Sequence, residues 1–133
     1  MHIKDHFSKY TFLYPLPDKT AAGVATCIAQ WLGIVRIPCI LPYDNGAEFQ
    51  GVLLILLRKY GIKIIHSRAR HLQLQGLVEQ ANGVVKTKLY CWLADYEGQG
   101  WSDALPDIAL GMNRQIHPVT KKMPYEVFFN RAP

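Results

Sequence analysis

The stretch that decides the fold is Tyr43-Asp44-Asn45-Gly46-Ala47-Glu48-Phe49, where a carboxylate directly follows a short apolar run. The Asn-Gly pair marks a turn, so we expect Asp44 at the carboxyl end of a strand. Thirty-five positions further on, Glu79 stands at the start of a long amphipathic segment. Two carboxylates set in this way could share one divalent cation, since Mg²⁺ prefers carboxylate oxygens. The alternatives are a turn former at Asp44 and, at Glu79, an acid that complements the helix dipole.

Hydrophobic periodicity and turn residues predict alternating strands and helices around this stretch. Residues 1–5 and 10–16 are expected to form a hairpin whose first arm is cut short. The further predicted elements are helices over residues 21–31, 49–60, 77–96, 101–115 and 124–129, strands over residues 37–42 and 62–65, and a loop over residues 67–75. Thr20 supplies an N-cap for the first helix, Gly33 suits its end, and Pro124 opens the last helix. This order predicts a single α/β domain over residues 1–133.

The composition narrows the class of protein. The chain has 133 residues, half of them apolar and 19% charged, which argues for one globular domain. No run approaches the roughly 18 consecutive apolar residues that a membrane span needs. The three cysteines, Cys27, Cys39 and Cys91, have no C-x-x-C spacing, which argues against a zinc site or a disulfide framework.

Positive charge is concentrated in one segment of the chain. The net charge is +5, and residues 58–71 hold five Lys and Arg and two His without any Asp or Glu. Such a segment is typical of a surface that contacts phosphates, and a solvated helix end and loop is the alternative. Asn82 and Lys86 share the predicted helix face of Glu79, where Lys86 could meet a phosphate.

Three motifs, in their order and spacing, resemble the integrase catalytic core of retroviruses and of Ty3/gypsy-like retrotransposons. They are Asp5-x-Phe7-Ser8-Lys9-Tyr10, Tyr43-Asp44-Asn45-Gly46-x-Glu48-Phe49 and Arg70-His71-x-Gln73-x-Gln75-Gly76-Leu77-Val78-Glu79-x-x-Asn82. Two closing segments are similar to the tail of retrotransposon-derived integrase domains, notably those of KRAB-A and SCAN-domain host proteins. These segments are Trp101-Ser102-x-x-Leu105-Pro106 and Pro124-Tyr125-Glu126-Val127-Phe128-Phe129-x-Arg131-x-Pro133. The resemblance covers essentially the whole chain.

The resemblance implies an RNase H-like integrase core, with a mixed central sheet flanked by helices. It also implies a site in which three carboxylates and two metal ions cut and join DNA strands. Asp44 matches the second acidic ligand and Glu79 the third, so both are expected to be catalytic and to bind Mg²⁺ or Mn²⁺. The expected nucleic-acid-binding residues are Arg68 and Arg70 in the basic segment, Gln73 and Gln75 on the family's mobile active-site loop, and Asn82 and Lys86 on the following helix.

One part of the family pattern has no counterpart among these residues. The family's first catalytic aspartate lies on a strand that precedes the hairpin arm at residues 1–5, and we expect this N-terminal first strand to be missing. Asp5 is the only acidic residue near enough in sequence to substitute, but it matches a position that is not a metal ligand in the family. We therefore expect weak metal binding by two ligands and a catalytically incomplete chain.

Two functions follow from the resemblance. The first is a retroelement-derived integrase core for DNA integration that lacks its full set of ligands. The alternative is a domesticated module that binds DNA or a protein without chemistry. Integrase cores commonly form homodimers through helix faces, and Trp92, Tyr96 and Trp101 are candidates for such an interface or for the core. DNA as the partner implies a nuclear or intracellular location, with no membrane involved.

Overall fold

The computed structural model describes residues 1–18, 20–35, 37–38, 40–43, 51–66 and 72–133. Within these ranges, strands and helices alternate before a series of three helices, which confirms the α/β class. In chain order the elements are β1 (His2–Lys4), β2 (Thr11–Leu13), α1 (Ala21–Ile34), β3 (Ile40–Tyr43), α2 (Val52–Lys59), β4 (Lys63–His66), α3 (Leu72–Asp95), α4 (Ala104–Arg114) and α5 (Pro124–Phe129). They divide into two compact units, which are Leu16–Leu77 and a second unit made of Met1–Pro15 and Val78–Pro133.

The unit Met1–Pro15 with Val78–Pro133 is built on an antiparallel hairpin. β1 pairs with β2 in a register that sets His2 opposite Leu13, which confirms the predicted hairpin. α4 packs against β2 and against α5, and its inner face buries Ala104, Leu105 and Ile108. The amphipathic period of residues 101–115 therefore marks a core-facing helix, as expected.

An aromatic cluster joins the hairpin to the C-terminal helix in this unit. The Tyr10 ring lies 4.7 Å from Phe128 and 5.5 Å from Phe129, between ring centroids. Phe12 meets Phe128 edge-on at 5.7 Å, and Tyr125 lies 4.8 Å from Phe129. Offset and edge-to-face pairs of this kind stabilise a core beyond the area that they bury. The cluster gives the closing Pro-Tyr-Glu-Val-Phe-Phe segment a structural role.

In the unit Leu16–Leu77, the helices α1 and α2 pack against each other. The Thr20 hydroxyl accepts a hydrogen bond from the backbone N–H of Gly23 and caps α1, as predicted. The contact buries Leu53 and Leu57 of α2 completely. The buried residues of α1 are Val24, Ala25, Cys27, Ile28, Trp31 and Leu32.

The strands of this unit are a parallel pair. β3 pairs with β4 from Ile40 opposite Lys63 to Tyr43 opposite His66. Because paired parallel strands run in the same direction, both end at the same edge. The described residues thus show one antiparallel and one parallel strand pair. Their union in one mixed central sheet, and the missing first strand, stay predictions.

Several predicted boundaries were wrong, among them the start of α4, which is Ala104 and not residue 101, and two that were placed at a glycine. α1 continues past Gly33 to Ile34. α3 begins at Leu72, not at residue 77, so Gln73 and Gln75 belong to a helix and not to a loop. A glycine inside a helix costs only about 1 kcal/mol relative to alanine, which good helix formers such as Leu and Gln on both sides offset. α5 has the predicted bounds.

In the part of the chain that the structure describes, no helix is long and apolar enough to cross a membrane.

Candidate functional site

Three of the predicted site residues form a polar face on α3. Glu79, Asn82 and Lys86 are all exposed, and their spacing places them on one side of the helix. Within the described ranges, the Glu79 carboxylate and the Lys86 ammonium group have no hydrogen-bond or ion-pair partner. Opposite charges two turns apart on the helix thus make no ion pair with each other.

Asn82 differs from its neighbours on this face because its side chain is held. The Oδ1 atom of Asn82 lies 2.8 Å from Nδ1 of His2, a residue 80 positions away in sequence on β1. The His2 ring is half-buried, and its Nε2 atom is buried without a hydrogen-bond partner among the described residues. Burial is the main reason that the pKa of His2 falls below its usual value, and the hydrogen bond to Asn82 opposes this shift.

The edge at which β3 and β4 end lies next to two predicted functional segments. Tyr43 and His66, which pair with each other, are the last residues of the two strands. Asp44 follows Tyr43 directly in sequence, and the segment with Arg68 and Arg70 follows His66. Ligands of α/β proteins commonly bind beyond the carboxyl ends of strands. Asp44, Arg68 and Arg70 themselves lie outside the described residues.

The remaining predicted nucleic-acid-binding residues are Gln73 and Gln75. Their backbone belongs to the first turns of α3, on the N-terminal side of Glu79. The loop placement that sequence suggested for them is therefore corrected. A contact of either residue with DNA stays a prediction.

The donors of the predicted metal site are carboxylates. Carboxylate oxygens are the ligands that Mg²⁺ prefers, and Glu79 offers a carboxylate without an internal partner. In the described part of the chain, no group of three His, Cys, Asp or Glu side chains could hold a metal ion. A site formed by Asp44 and Glu79 requires a residue outside those ranges. The two donors fit a hard cation by their chemistry.

Asp5 has a structural role in the hairpin turn. Its Oδ2 atom accepts hydrogen bonds from the backbone N–H and the hydroxyl group of Ser8, both at 2.6 Å. Its backbone also exchanges hydrogen bonds with Tyr10 and Lys9 on the other side of the turn. An acid that closes a turn in this way is a local side-chain cap. This explains the Asp5-x-Phe7-Ser8-Lys9 motif without metal binding.

Sequence reasoning missed His2 as a residue of the candidate site. Alternation along β1 places His2 and Lys4 on the same side of the strand, but a single His in a three-residue strand carries no motif. Its partner is 80 positions away, and no spacing rule relates a hairpin strand to a helix at that distance in sequence. Only the folded structure brings the two together.

Sequence comparison finds similar proteins at low identity. No family model matches it. It is 25% identical over 131 residues to human KRAB-A domain-containing protein 2, and the match covers 97% of this chain and 27% of that protein. It is 27% identical over 128 residues to the Pro-Pol polyprotein of simian foamy virus type 1, and this match covers 96% of this chain and 11% of the polyprotein. The chain thus spans about a quarter and about a tenth of these relatives.

Solved structures share the fold over nearly the whole chain. The catalytic core domain of BIV integrase matches with a TM-score of 0.81 at 25% identity, covering 97% of this chain and 84% of that one. The HTLV-2 integrase catalytic core, in complex with magnesium and in a trimeric form, matches with a TM-score of 0.80 at 20% identity, covering 96% and 90%. The resemblance read from the motifs is therefore confirmed, and the chain has the RNase H-like fold of the retroviral integrase catalytic cores.

Proposed function

We propose that this chain is a retroelement-derived integrase core that binds DNA through the basic segment of residues 58–71 and the polar face of α3. The observation that carries the proposal is the match in fold to integrase cores over 97% of the chain, together with the position of the motifs in that fold. The Asp-Asn-Gly motif begins directly after β3, and the Glu-x-x-Asn motif lies on α3.

Charge supports DNA as the partner. The basic segment begins at the end of α2, where Arg58 and Lys59 are exposed, and continues through β4 and beyond its carboxyl end. The segment itself contains no Asp or Glu. A run of this kind attracts a polyanion and releases counterions on binding. With DNA as the partner, we propose a nuclear or intracellular location for the protein.

We expect affinity for double-stranded DNA to fall as salt rises, and to fall further in the double variant Arg68→Glu/Arg70→Glu. If both arginines contact phosphates, the slope of log K against log salt should shrink by about two units, one for each contact. At low salt the double variant should bind about tenfold more weakly or worse. Fluorescence anisotropy with a labelled duplex, over a series of salt concentrations, measures both quantities.

A matched control separates this effect from net charge. Arg114→Glu/Lys122→Glu reverses two exposed cations outside the basic segment and lowers the net charge from +5 by the same four charges. It should weaken binding much less than Arg68→Glu/Arg70→Glu does. Equal losses in both variants, or an affinity that does not depend on salt, would remove the basic segment from the proposal.

Asp44 and Glu79 are proposed as the two carboxylate ligands of Mg²⁺ or Mn²⁺. A bound ion would supply Lewis-acid stabilisation of charge on a phosphodiester. Glu79 contributes a carboxylate that no described residue engages, and Lys86 on the same face offers a positive charge to a phosphate. In HTLV-2 integrase, which has the same fold, the core was solved with magnesium. Asp44 follows the edge at which β3 ends.

We expect the 133-residue chain not to catalyse DNA cleavage or strand transfer. The family resemblance implies three carboxylates, and Asp5 is held in a turn by Ser8, which leaves Asp44 and Glu79. With two ligands the affinity for metal should be weak, and the chain as it stands should show no Mg²⁺- or Mn²⁺-dependent nicking or strand transfer on labelled duplex DNA. Product formation that Asp44→Asn abolishes would contradict this expectation.

A domesticated module that binds without chemistry is the second candidate, and exposed aromatic side chains on the unit Met1–Pro15 with Val78–Pro133 favour it. Tyr96 and Trp101 are about half exposed, whereas Trp92 stacks on Tyr96 at 4.5 Å and donates its Nε1–H to Asp107. The outer faces of Tyr96 and Trp101 are thus available for a homodimer or another protein. A monomer at all concentrations in sedimentation would speak against the homodimer.

A further inference from the structure

The hydrogen bond between His2 and Asn82 fixes the direction of an amide side chain on the proposed DNA-binding face. Asn82 is exposed, and an exposed amide ordinarily rotates between orientations. Here the imidazole of His2, half-buried on β1, lies 2.8 Å from the Asn82 Oδ1 atom. The ring cannot turn away easily, because its far edge at Nε2 is buried. The bond therefore joins a half-buried ring on β1 to an exposed side chain on α3.

The surroundings of the ring select its tautomer. A hydrogen on Nε2 would be a buried N–H without a partner among the described residues, and orphaned buried N–H groups are rare. The neutral ring with its hydrogen on Nδ1 avoids this cost and donates to Asn82. The charged form is disfavoured, because burial lowers the pKa of His2 and the positive charges of Lys4 and of the N-terminal amine lower it further.

We propose that His2 is a positioning residue for Asn82: its Nδ1–H donates to Asn82 Oδ1 and thereby turns the Asn82 amide group outward as a donor to nucleic acid. The inference rests on the proposed function, since it assigns Asn82 to the DNA-contacting face. An amide whose oxygen faces His2 leaves its NH₂ group free to donate. It therefore suits the acceptors that DNA presents, which are phosphate oxygens and acceptor atoms on base edges.

Four variants test the inference by DNA affinity. His2→Phe keeps the ring but removes the donor, and it should weaken binding about two- to tenfold, the value of one typical hydrogen bond. His2→Asn carries an amide N–H at the same distance from the backbone as Nδ1, so it should restore affinity near that of the parent chain. Asn82→Ala should lose as much as His2→Phe or more. The double variant His2→Phe/Asn82→Ala should be no weaker than Asn82→Ala alone, because the two residues act as one unit.

A separate readout follows the hydrogen bond itself. In the ¹⁵N NMR spectrum of the imidazole, we expect Nδ1 to be protonated and Nε2 to be unprotonated near neutral pH. The Asn82→Ala variant should change the Nδ1 signal, whereas Lys86→Ala, on the same face of α3, should not. Protonation on Nε2 would overturn the assigned direction of the bond.

The outcomes distinguish the inference from the proposed function. A parent chain with no salt-dependent affinity for DNA would contradict the proposed function and, with it, the role of Asn82. A parent chain that binds DNA, together with a His2→Phe variant of equal affinity, would overturn only the positioning role. If His2→Phe does not fold, as judged by circular dichroism, His2→Gln takes its place. Its amide lies one bond further out, so it should lose the contact and bind DNA more weakly, and equal affinity would overturn the inference.

Discussion

Leu57→Ala should lower the free energy of unfolding by about 2–5 kcal/mol, because it removes a fully buried side chain and leaves a cavity between α1 and α2. The Leu57 side chain has no exposed surface, and its neighbour on the inner face of α2, Leu53, is buried to the same degree. The surrounding helices can collapse only in part onto the missing volume. Urea denaturation followed by circular dichroism measures the change.

The same helix supplies the control for this prediction. Ile55 lies on the outer face of α2 with 68% of its surface exposed, so Ile55→Ala should change stability by no more than about 0.5 kcal/mol. Two Ala variants on one short helix thus differ chiefly in burial. Similar losses in both variants would mean that the packing of α1 on α2 is wrong. A loss below about 1 kcal/mol for Leu57→Ala would lead to the same conclusion.

Asn113→Ala should be the second strongly destabilising change, at about 2–4 kcal/mol, because it leaves two buried backbone groups without partners. The Asn113 side chain accepts a hydrogen bond from the Thr11 N–H at 2.8 Å and donates one to the Thr11 carbonyl at 2.9 Å. Both residues are almost completely buried. Asn113 therefore extends the edge of β2 as a neighbouring strand would, with a side-chain amide in place of a peptide. Thermal and urea unfolding measure the loss.

Gln115→Ala is the matched control, because it removes an amide of the same kind two residues away. Gln115 is exposed, so its removal should leave stability within about 0.5 kcal/mol of the parent. Asn113→Asp should destabilise at least as much as Asn113→Ala at neutral pH, since it buries a carboxylate that faces the Thr11 carbonyl and cannot donate to it. If Asn113→Ala unfolds like the parent chain, the Asn113–Thr11 contact does not stabilise this unit.

Sequence predicted those parts of the fold that depend on local signals. The Thr20 cap and the Pro124 helix start were found because their physical causes lie within a few residues. The C-terminal end of α1 and the start of α3 were missed for the opposite reason. Gly33 and Gly76 resemble helix stops, but tertiary packing and strong helix formers outweigh the modest cost of one glycine. Whether a glycine ends a helix depends on contacts that a local pattern does not contain.

The candidate site likewise has a part that local sequence signals predicted and a part that they could not predict. Glu79, Asn82 and Lys86 were expected on one helix face because a period of 3.6 residues determines which side chains are neighbours. The hydrogen bond from His2 to Asn82 and the contact of Asn113 with Thr11 join residues 80 and 102 positions apart. Contacts of that kind depend on how the hairpin, α3 and α4 pack, which no motif in either segment specifies.

The central claim is that Asp44 and Glu79 meet at one cation site, and a Mn²⁺ titration of the ¹⁵N-labelled chain tests it most directly. A paramagnetic ion broadens the NMR signals of nearby backbone amides even when it binds weakly. The account predicts that the amides around Asp44 and Glu79 broaden together at the same Mn²⁺ concentration. Either Asp44→Asn or Glu79→Gln alone should then abolish the broadening at both positions. Broadening at one carboxylate that survives loss of the other, or none at either, would contradict the account.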